Sequence, residues 1–177
     1  IVVTLDLFRD LSRITLILSG IVAGIVVVVI GVYYPGMIGG GYSTIGKVLD
    51  HSYTLYFLIA LFVGRMVLTM FSYGTGVPGG IFAPMLALGV VFGMLFGTVM
   101  EHFFPGLVPH PGIYAVAGMA GIFASTVRAP LTGLVLAVEM TSNYELILPL
   151  IITTVTASVV TAQLGNEPIY TTLLKRT

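Results

Sequence analysis

Apolar residues run through this chain in long blocks with almost no charge inside them. Residues 14–34 carry no Asp, Glu, Lys or Arg, and charges are missing again from 51–64, 66–100, 102–127 and 146–166. A hydrocarbon slab about 30 Å thick takes roughly 20 apolar residues per spanning helix. The first block fits one span, whereas several of the others are too long for one helix or are cut by Gly and Pro. The cuts fall at Tyr34-Pro35-Gly36 with Gly39-Gly40-Gly41, at Asp50-His51-Ser52, at Gly74-Thr75-Gly76-Val77-Pro78-Gly79-Gly80, and at Phe104-Pro105-Gly106 with Pro109 and Pro111. They predict spans over 14–34 and about 53–73, a long helix over about 81–104, helices over about 113–126, 131–140 and 146–164, and a short last helix starting near Pro168.

Composition sharpens this picture. Hydrophobic residues make up 57% of the 177 positions and charged ones only 8%, against about 25% charged in ordinary soluble domains, which excludes a water-soluble globule. Seven basic residues balance seven acidic ones, so no cationic field exists to gather nucleic acid. The absence of Cys removes disulfides, thiolate metal sites and thiol nucleophiles. Glycine, at 22 residues, is abundant in the way that closely packed membrane helices need. Ile1 is not preceded by a charged n-region and cleavage site, and the chain reads as a piece of a longer polypeptide.

Lys and Arg near span ends set the expected orientation. Arg9 and Arg13, Arg128, and Lys175-Arg176 mark the cytoplasmic side, while the 105–112 loop and the 141–145 link, which lack Lys and Arg, go outside. Lys47 counts against this scheme as a single charge. Gly20 and Gly24, then Gly89, Gly93 and Gly97, recur every four residues, a spacing that lets helix backbones approach closely. Arg65 and Glu139 lie within apolar segments, where a charge needs a partner or water. For Arg65 the readings are structural pairing or snorkelling and an anion-attracting role; for Glu139 they are a structural partner and a proton or ion role.

Catalytic templates fail. Gly41-Tyr42-Ser43-Thr44-Ile45 approaches a nucleophile elbow, but the closing Gly arrives one position late at Gly46 and no strand-turn-helix unit surrounds it. His51, His102 and His110 read as loop histidines, and Glu101-His102 is not part of an H-E-x-x-H helix. Gly74-x-Gly76-x-x-Gly79 matches a dinucleotide fingerprint only formally, because an apolar span rather than a strand precedes it.

The same break becomes informative through its backbone donors. Four glycines and Pro78 stop any helix from running through, so a new one begins near Gly80, with Pro84 in its first turn. The amides of Ile81, Phe82 and Ala83 are then without helical partners, with about half a positive charge behind them. Irregular backbone at membrane depth survives only when buried in protein or lining a cavity, where water or an anion satisfies such amides. A helix that starts at the interface under a water cap is the alternative. Near the C-terminus, Glu167-Pro168 opens a short helix with Tyr170 in its first turn, and the Tyr170 phenol fits either the aromatic belt or donation of one hydrogen bond to an anion.

Gly79-Gly80-Ile81-Phe82-Ala83-Pro84 resembles the G-x-F-x-P anion-filter motif of the CLC family of chloride channels and proton/chloride antiporters. Gly39-Gly40-Gly41-Tyr42, Ala117-Gly118-Met119-Ala120, Arg128-Ala129-Pro130-Leu131-Thr132-Gly133, Glu139-Met140-Thr141 and Leu148-Pro149 resemble the family in order and spacing, from about Ser12 to the end, most closely in its bacterial members. The resemblance implies an all-α membrane protein: a homodimer with one pore per subunit, each subunit built from two halves of inverted topology. Residues 1–177 form a single transmembrane fragment, the second, C-terminal half. It implies that the amides of Ile81, Phe82 and Ala83 and the hydroxyl of Tyr170 bind the anion, that Gly79, Gly80 and Pro84 shape the filter loop, and that the helices beginning near Leu131 and Ile147 form the dimer interface, with Ile147, Leu150 and Ile151 on it. The family's G-S-G-I-P filter segment, its G-R-E-G-P gating segment and the antiporters' proton-relay glutamate belong to the first half, and this chain contains none of them.

The expected protein is therefore a multi-pass anion transporter, channel or antiporter, of the bacterial inner membrane. It is no enzyme, needs no metal or cofactor, and partners with lipid, chloride, its N-terminal half and a second copy. A structural or assembly subunit and an unrelated secondary transporter are the rival readings.

Overall fold

Proline, glycine and left-handed residues punctuate the chain into helices. The computed structural model describes residues 13–34, 48, 53–74, 80–106 and 110–175. These form α1 (Arg13–Tyr33), α2 (Leu55–Gly74), α3 (Phe82–Phe103), α4 (Pro111–Val127), α5 (Pro130–Thr141), a 3-10 turn (Tyr144–Leu146) that runs into α6 (Ile147–Gln163), and α7 (Ile169–Leu174). No strand occurs among the described residues.

The ends have local causes. Pro111 occupies the first turn of α4, and the His110 Nδ1 caps it by accepting the Gly112 N–H at 3.1 Å. Pro130 opens α5 in the same way, and Ser142, in the left-handed region at φ 51°, closes it by donating its N–H to the Val138 carbonyl at 2.7 Å. Asn143 caps the 3-10 turn through its side chain. The stretches Leu55–Gly74, Phe82–Phe103 and Tyr144–Gln163 are long and apolar enough to cross a bilayer. With 12 residues, α5 rises only about 18 Å at 1.5 Å per residue and cannot cross alone.

The packing centre is an antiparallel pair, α3 and α4, locked by small residues. A Cβ on Gly89 would stand 2.6 Å from the Met119 Cα, one on Gly93 would stand 2.7 Å from the Tyr114 carbonyl carbon, and one on Gly97 would stand 2.9 Å from the Pro111 oxygen. Gly118 on α4 answers from the other side, meeting the Gly89 oxygen and the Gly93 Cα. This is the close backbone approach that the glycine spacing predicts. Gly24 behaves differently: nothing lies within 4 Å of its Cβ position, because α1 touches the described chain mainly along α2 and leaves its outer face open.

The helix α4 also carries the rest of the bundle. A Cβ on Gly133 of α5 would stand 3.0 Å from the Ala120 oxygen, and one on Gly121 would stand 3.2 Å from the Thr153 Cγ2 of α6. Ala115, Met119, Ala120 and Ala124 are consequently sealed from solvent. On the other side of α3, Phe92 meets Phe62 of α2 with ring centroids 5.7 Å apart. Hydroxyls inside the bundle are satisfied within their own helices, as when the buried Thr154 donates to the Leu150 carbonyl at 2.8 Å. The exterior is apolar, with Leu18, Ile25, Val28, Val32, Phe57, Leu131 and Ile152 all exposed, a surface suited to lipid rather than water.

Candidate functional site

The start of α3 has the form that its glycines and proline dictate. Ile81 is the N-cap, in helical conformation at φ −75° and ψ −25°, with no side-chain hydrogen bond to cap the helix and no acidic residue in the first turn. Pro84 lies in that turn and has no N–H. The first bond into the helix is therefore from the Met85 amide to the Ile81 carbonyl, at 3.2 Å. Among the described residues the amides of Ile81, Phe82 and Ala83, which precede it, make no backbone hydrogen bond, and the first turn holds no acidic residue at the positive end of the helix dipole.

Side chains fix where this helix start sits. Ile81 is buried, and Phe82 lays its ring edge-to-face on Phe123 of α4, with centroids 5.2 Å apart and an interplanar angle of 75°. That contact continues the α3–α4 register down from Gly89 and Met119. Gly80 has open space where a Cβ would be, so its role is conformational rather than a matter of packing. Gly79 lies outside the described residues, as do the Gly39–Gly41 triplet with Tyr42, and Ser43 and His51.

Tyr170 comes from the other end of the chain. It is the second residue of α7 and stays 46% exposed, while its neighbour Ile169 is buried in the same apolar cluster as Ile81. Helix α7 packs against α4. The structure thus brings the start of α3 and the start of α7 onto one supporting helix, although 85 residues lie between Ala83 and Ile169 in the sequence. Tyr73, on the last turn of α2, lies within electrostatic reach of Tyr170.

Three sequence readings need restating. Leu150, expected with Ile147 and Ile151 on an outward face, is 1% exposed and belongs to the core of the chain, whereas Ile147 and Ile151 are 37% and 42% exposed. The helical stripe divides: Leu150 and Thr154 turn toward the bundle and the other two turn away. Arg65 is buried and has an interaction partner, in keeping with a structural role. Glu139 is exposed near the end of α5. Among the described residues, no three of His, Asp and Glu gather as a metal site would require.

Sequence reasoning missed one tie. Arg128, read as a topology marker and as part of a family-like stretch, donates from its guanidinium Nη2 to the carbonyl of Asn166, in the link just before α7. The signal available in the sequence was the absence of a glycine after α4, where a left-handed residue was needed.

An apolar exterior, a tightly packed helix pair and three stretches long and apolar enough to cross a bilayer define an all-α integral membrane protein. This chain belongs to the voltage gated chloride channel family, whose model matches residues 1–162. It is 48% identical over 161 residues to the H(+)/Cl(−) exchange transporter ClcA of Vibrio campbellii, covering 91% of this chain and 34% of that protein. To ClcA of Vibrio cholerae it is 52% identical over 145 residues, covering 82% and 31%. Its fold superimposes on the X-ray crystal structure of a slow cyanobacterial Cl−/H+ antiporter with a TM-score of 0.91 and 38% identity, covering 98% of this chain and 41% of that one. The chain spans about a third of the length of the curated relatives it matches.

Proposed function

We propose that residues 1–177 form the C-terminal half of a CLC-type anion-transport domain, which moves chloride or a similar anion across a bacterial inner membrane once its N-terminal half is in place. The observation that carries this reading is the start of α3, where the amides of Ile81, Phe82 and Ala83 have no backbone acceptor among the described residues and the first turn holds no acidic residue. Chloride would be held by neutral dipoles: these amides, and the hydroxyl of Tyr170. Such donors replace part of the ion's water shell and still let it leave, whereas full positive charges would hold it too long for rapid transport. Gly79, Gly80 and Pro84 would shape the loop that presents them. The transport relatives favour this reading over a structural subunit and over an enzyme, and they name the exchange of chloride for protons as the activity of those proteins. The exposed Ile147 and Ile151 would join two such subunits, each with its own pathway.

Tyr170 provides the test, because an aromatic-belt tyrosine and a filter tyrosine differ in what they affect. A belt residue anchors its helix and leaves anion affinity alone. A hydroxyl bonded to the ion is worth about 1.5–3 kcal/mol, or about tenfold to a hundredfold in affinity where water does not compensate. In the complete purified protein, equilibrium chloride titration by calorimetry should show Tyr170→Ala binding more weakly by that order and Tyr170→Phe losing less, because its ring still closes the inner end. Wild-type affinity in Tyr170→Ala would remove the hydroxyl from the site.

A further inference from the structure

The helix that carries Tyr170 sets its Ile169 in the core of the chain and packs its Leu173 against the same cluster. It is six residues long. Its flanking hydrogen bonds, from the Thr172 amide to the Pro168 carbonyl and from the Lys175 amide to the Thr171 carbonyl, both at 3.1 Å, stay within the same stretch of chain and so give it shape but not position. Ile169 anchors one side of it in the core. Glu167 and Lys175 pair across it, but both side chains are about half exposed, and an exposed pair of this kind restrains little. The turn before it bends through Gly165 at φ +73°, a left-handed conformation that glycine adopts without strain.

A further tie comes from Arg128, which reaches across 38 positions of sequence to the Asn166 carbonyl. The residue carrying it stands in an unfavourable backbone state. Its φ is 64° and its ψ 34°, the left-handed region in which glycine is the usual closing residue of a helix. Its backbone N–H completes the α4 cap on the Ala124 carbonyl at 3.0 Å, a bond glycine would make equally well. Its Nε is buried and meets no acceptor among the described residues, a further disfavoured feature. Both features weigh against an arginine here, and the interaction that offsets them is the bond to Asn166.

We propose that Arg128 is a positioning residue for the inner end of the anion pathway: by fastening the Asn166 carbonyl to the end of α4, it fixes α7 and so sets the place of the Tyr170 hydroxyl. The inference rests on the reading of Tyr170 as an anion ligand. It makes α4 the common reference for both parts of the site, holding the start of α3 through Phe123 and the start of α7 through Arg128.

A double-mutant cycle in the complete protein tests this, with chloride affinity from calorimetry and thermal stability from circular dichroism. Arg128→Gly relieves the backbone and keeps the α4 cap, so the thermal midpoint should stay at or above wild type while chloride affinity falls by about three- to tenfold. In a Tyr170→Ala background the same change should have no further effect on affinity, since the group it positions is gone. Arg128→Lys keeps the charge and a donor without the planar fork, and should lose less affinity, again only while Tyr170 is present. Wild-type affinity in Arg128→Gly overturns the proposal, as does an equal loss with and without Tyr170, which would mark Arg128 as a source of charge or of general stability. If Arg128→Gly fails to fold, the cycle with Arg128→Lys decides by the same criterion. Wild-type affinity in Tyr170→Ala alone instead rejects the filter reading beneath the inference.

Discussion

Placing a methyl group on Gly93 probes the α3–α4 pair at its tightest point. The new Cβ would stand 2.7 Å from the Tyr114 carbonyl carbon and 2.8 Å from the Ala115 Cα, closer still to the Tyr114 oxygen, where ordinary contact begins at 3.4 Å. All three atoms are backbone, so no side chain can rotate away and the two helices must separate by about 1 Å or more. A gap of that size forfeits roughly half of each dispersion contact along the seam, including those at Gly89, Gly97 and Gly118. Overpacking commonly costs about 1–3 kcal/mol, and rigid atoms on both sides put Gly93→Ala near the upper figure, a loss of about 6–12 °C in thermal midpoint for a domain of this size. Gly24→Ala is the control: its Cβ would meet nothing within 4 Å, so replacing a helical glycine there should be neutral or stabilising by about 0.5–1 kcal/mol. Thermal melts of both variants of the complete protein in mild detergent, followed by circular dichroism, give the comparison. Because Phe82 rests on Phe123 in the same seam, Gly93→Ala should also weaken chloride binding. Equal stability of the two variants would refute the claim that glycine spacing here reports backbone contact.

Two further substitutions test the periphery. Ile147→Trp, on the outward face of α6 where Ile147 is 37% exposed, should lower the dimer fraction in subunit counting across a lipid dilution series while each subunit keeps its flux; an unchanged dimer fraction would count against that face. Gly165→Ala, at φ +73° with open space around it, should destabilise by about 1–2 kcal/mol through the backbone alone, and Gly165→Asn should recover much of that in the same melt.

Helix positions were readable because proline and glycine act locally. Pro111 and Pro130 open α4 and α5, Pro168 immediately precedes α7, and the α3 start follows from what Gly80 and Pro84 permit. Partners were readable only where chemistry constrains them. The spacing of Gly89, Gly93 and Gly97 and that of Gly20 and Gly24 are alike in sequence, yet the first three meet an opposing backbone whereas Gly24 has open space at its Cβ position, because spacing records a face and not what covers it. Leu150 failed for a related reason, since an apolar stripe on α6 has a side toward the bundle and a side away from it. The Arg128 tie joins elements distant in sequence through a backbone carbonyl, an acceptor that every residue carries and no pattern marks. The family resemblance and the donor count agree on Ile81, Phe82 and Ala83 because both depend on the same glycines and proline.

The α3–α4 seam also bears on how the chain is made. Its two helices are neighbours in sequence, joined across the short stretch 104–110, so closing that loop costs little chain entropy compared with any pairing that involves α1 or α7. During synthesis, domains assemble from the N-terminal side as they emerge, and this hairpin needs nothing downstream to form: every backbone atom that its glycines meet is already present when Val127 has been made. The start of α3 would then be shielded by Phe123 before the later helices exist. With α4 in place as a template, α5, α6 and α7 can be laid down in the order of translation, each against a surface already built. The glycine that lets two helices touch thereby also sets a sequence of events, and a methyl group at Gly93 would delay the first of them.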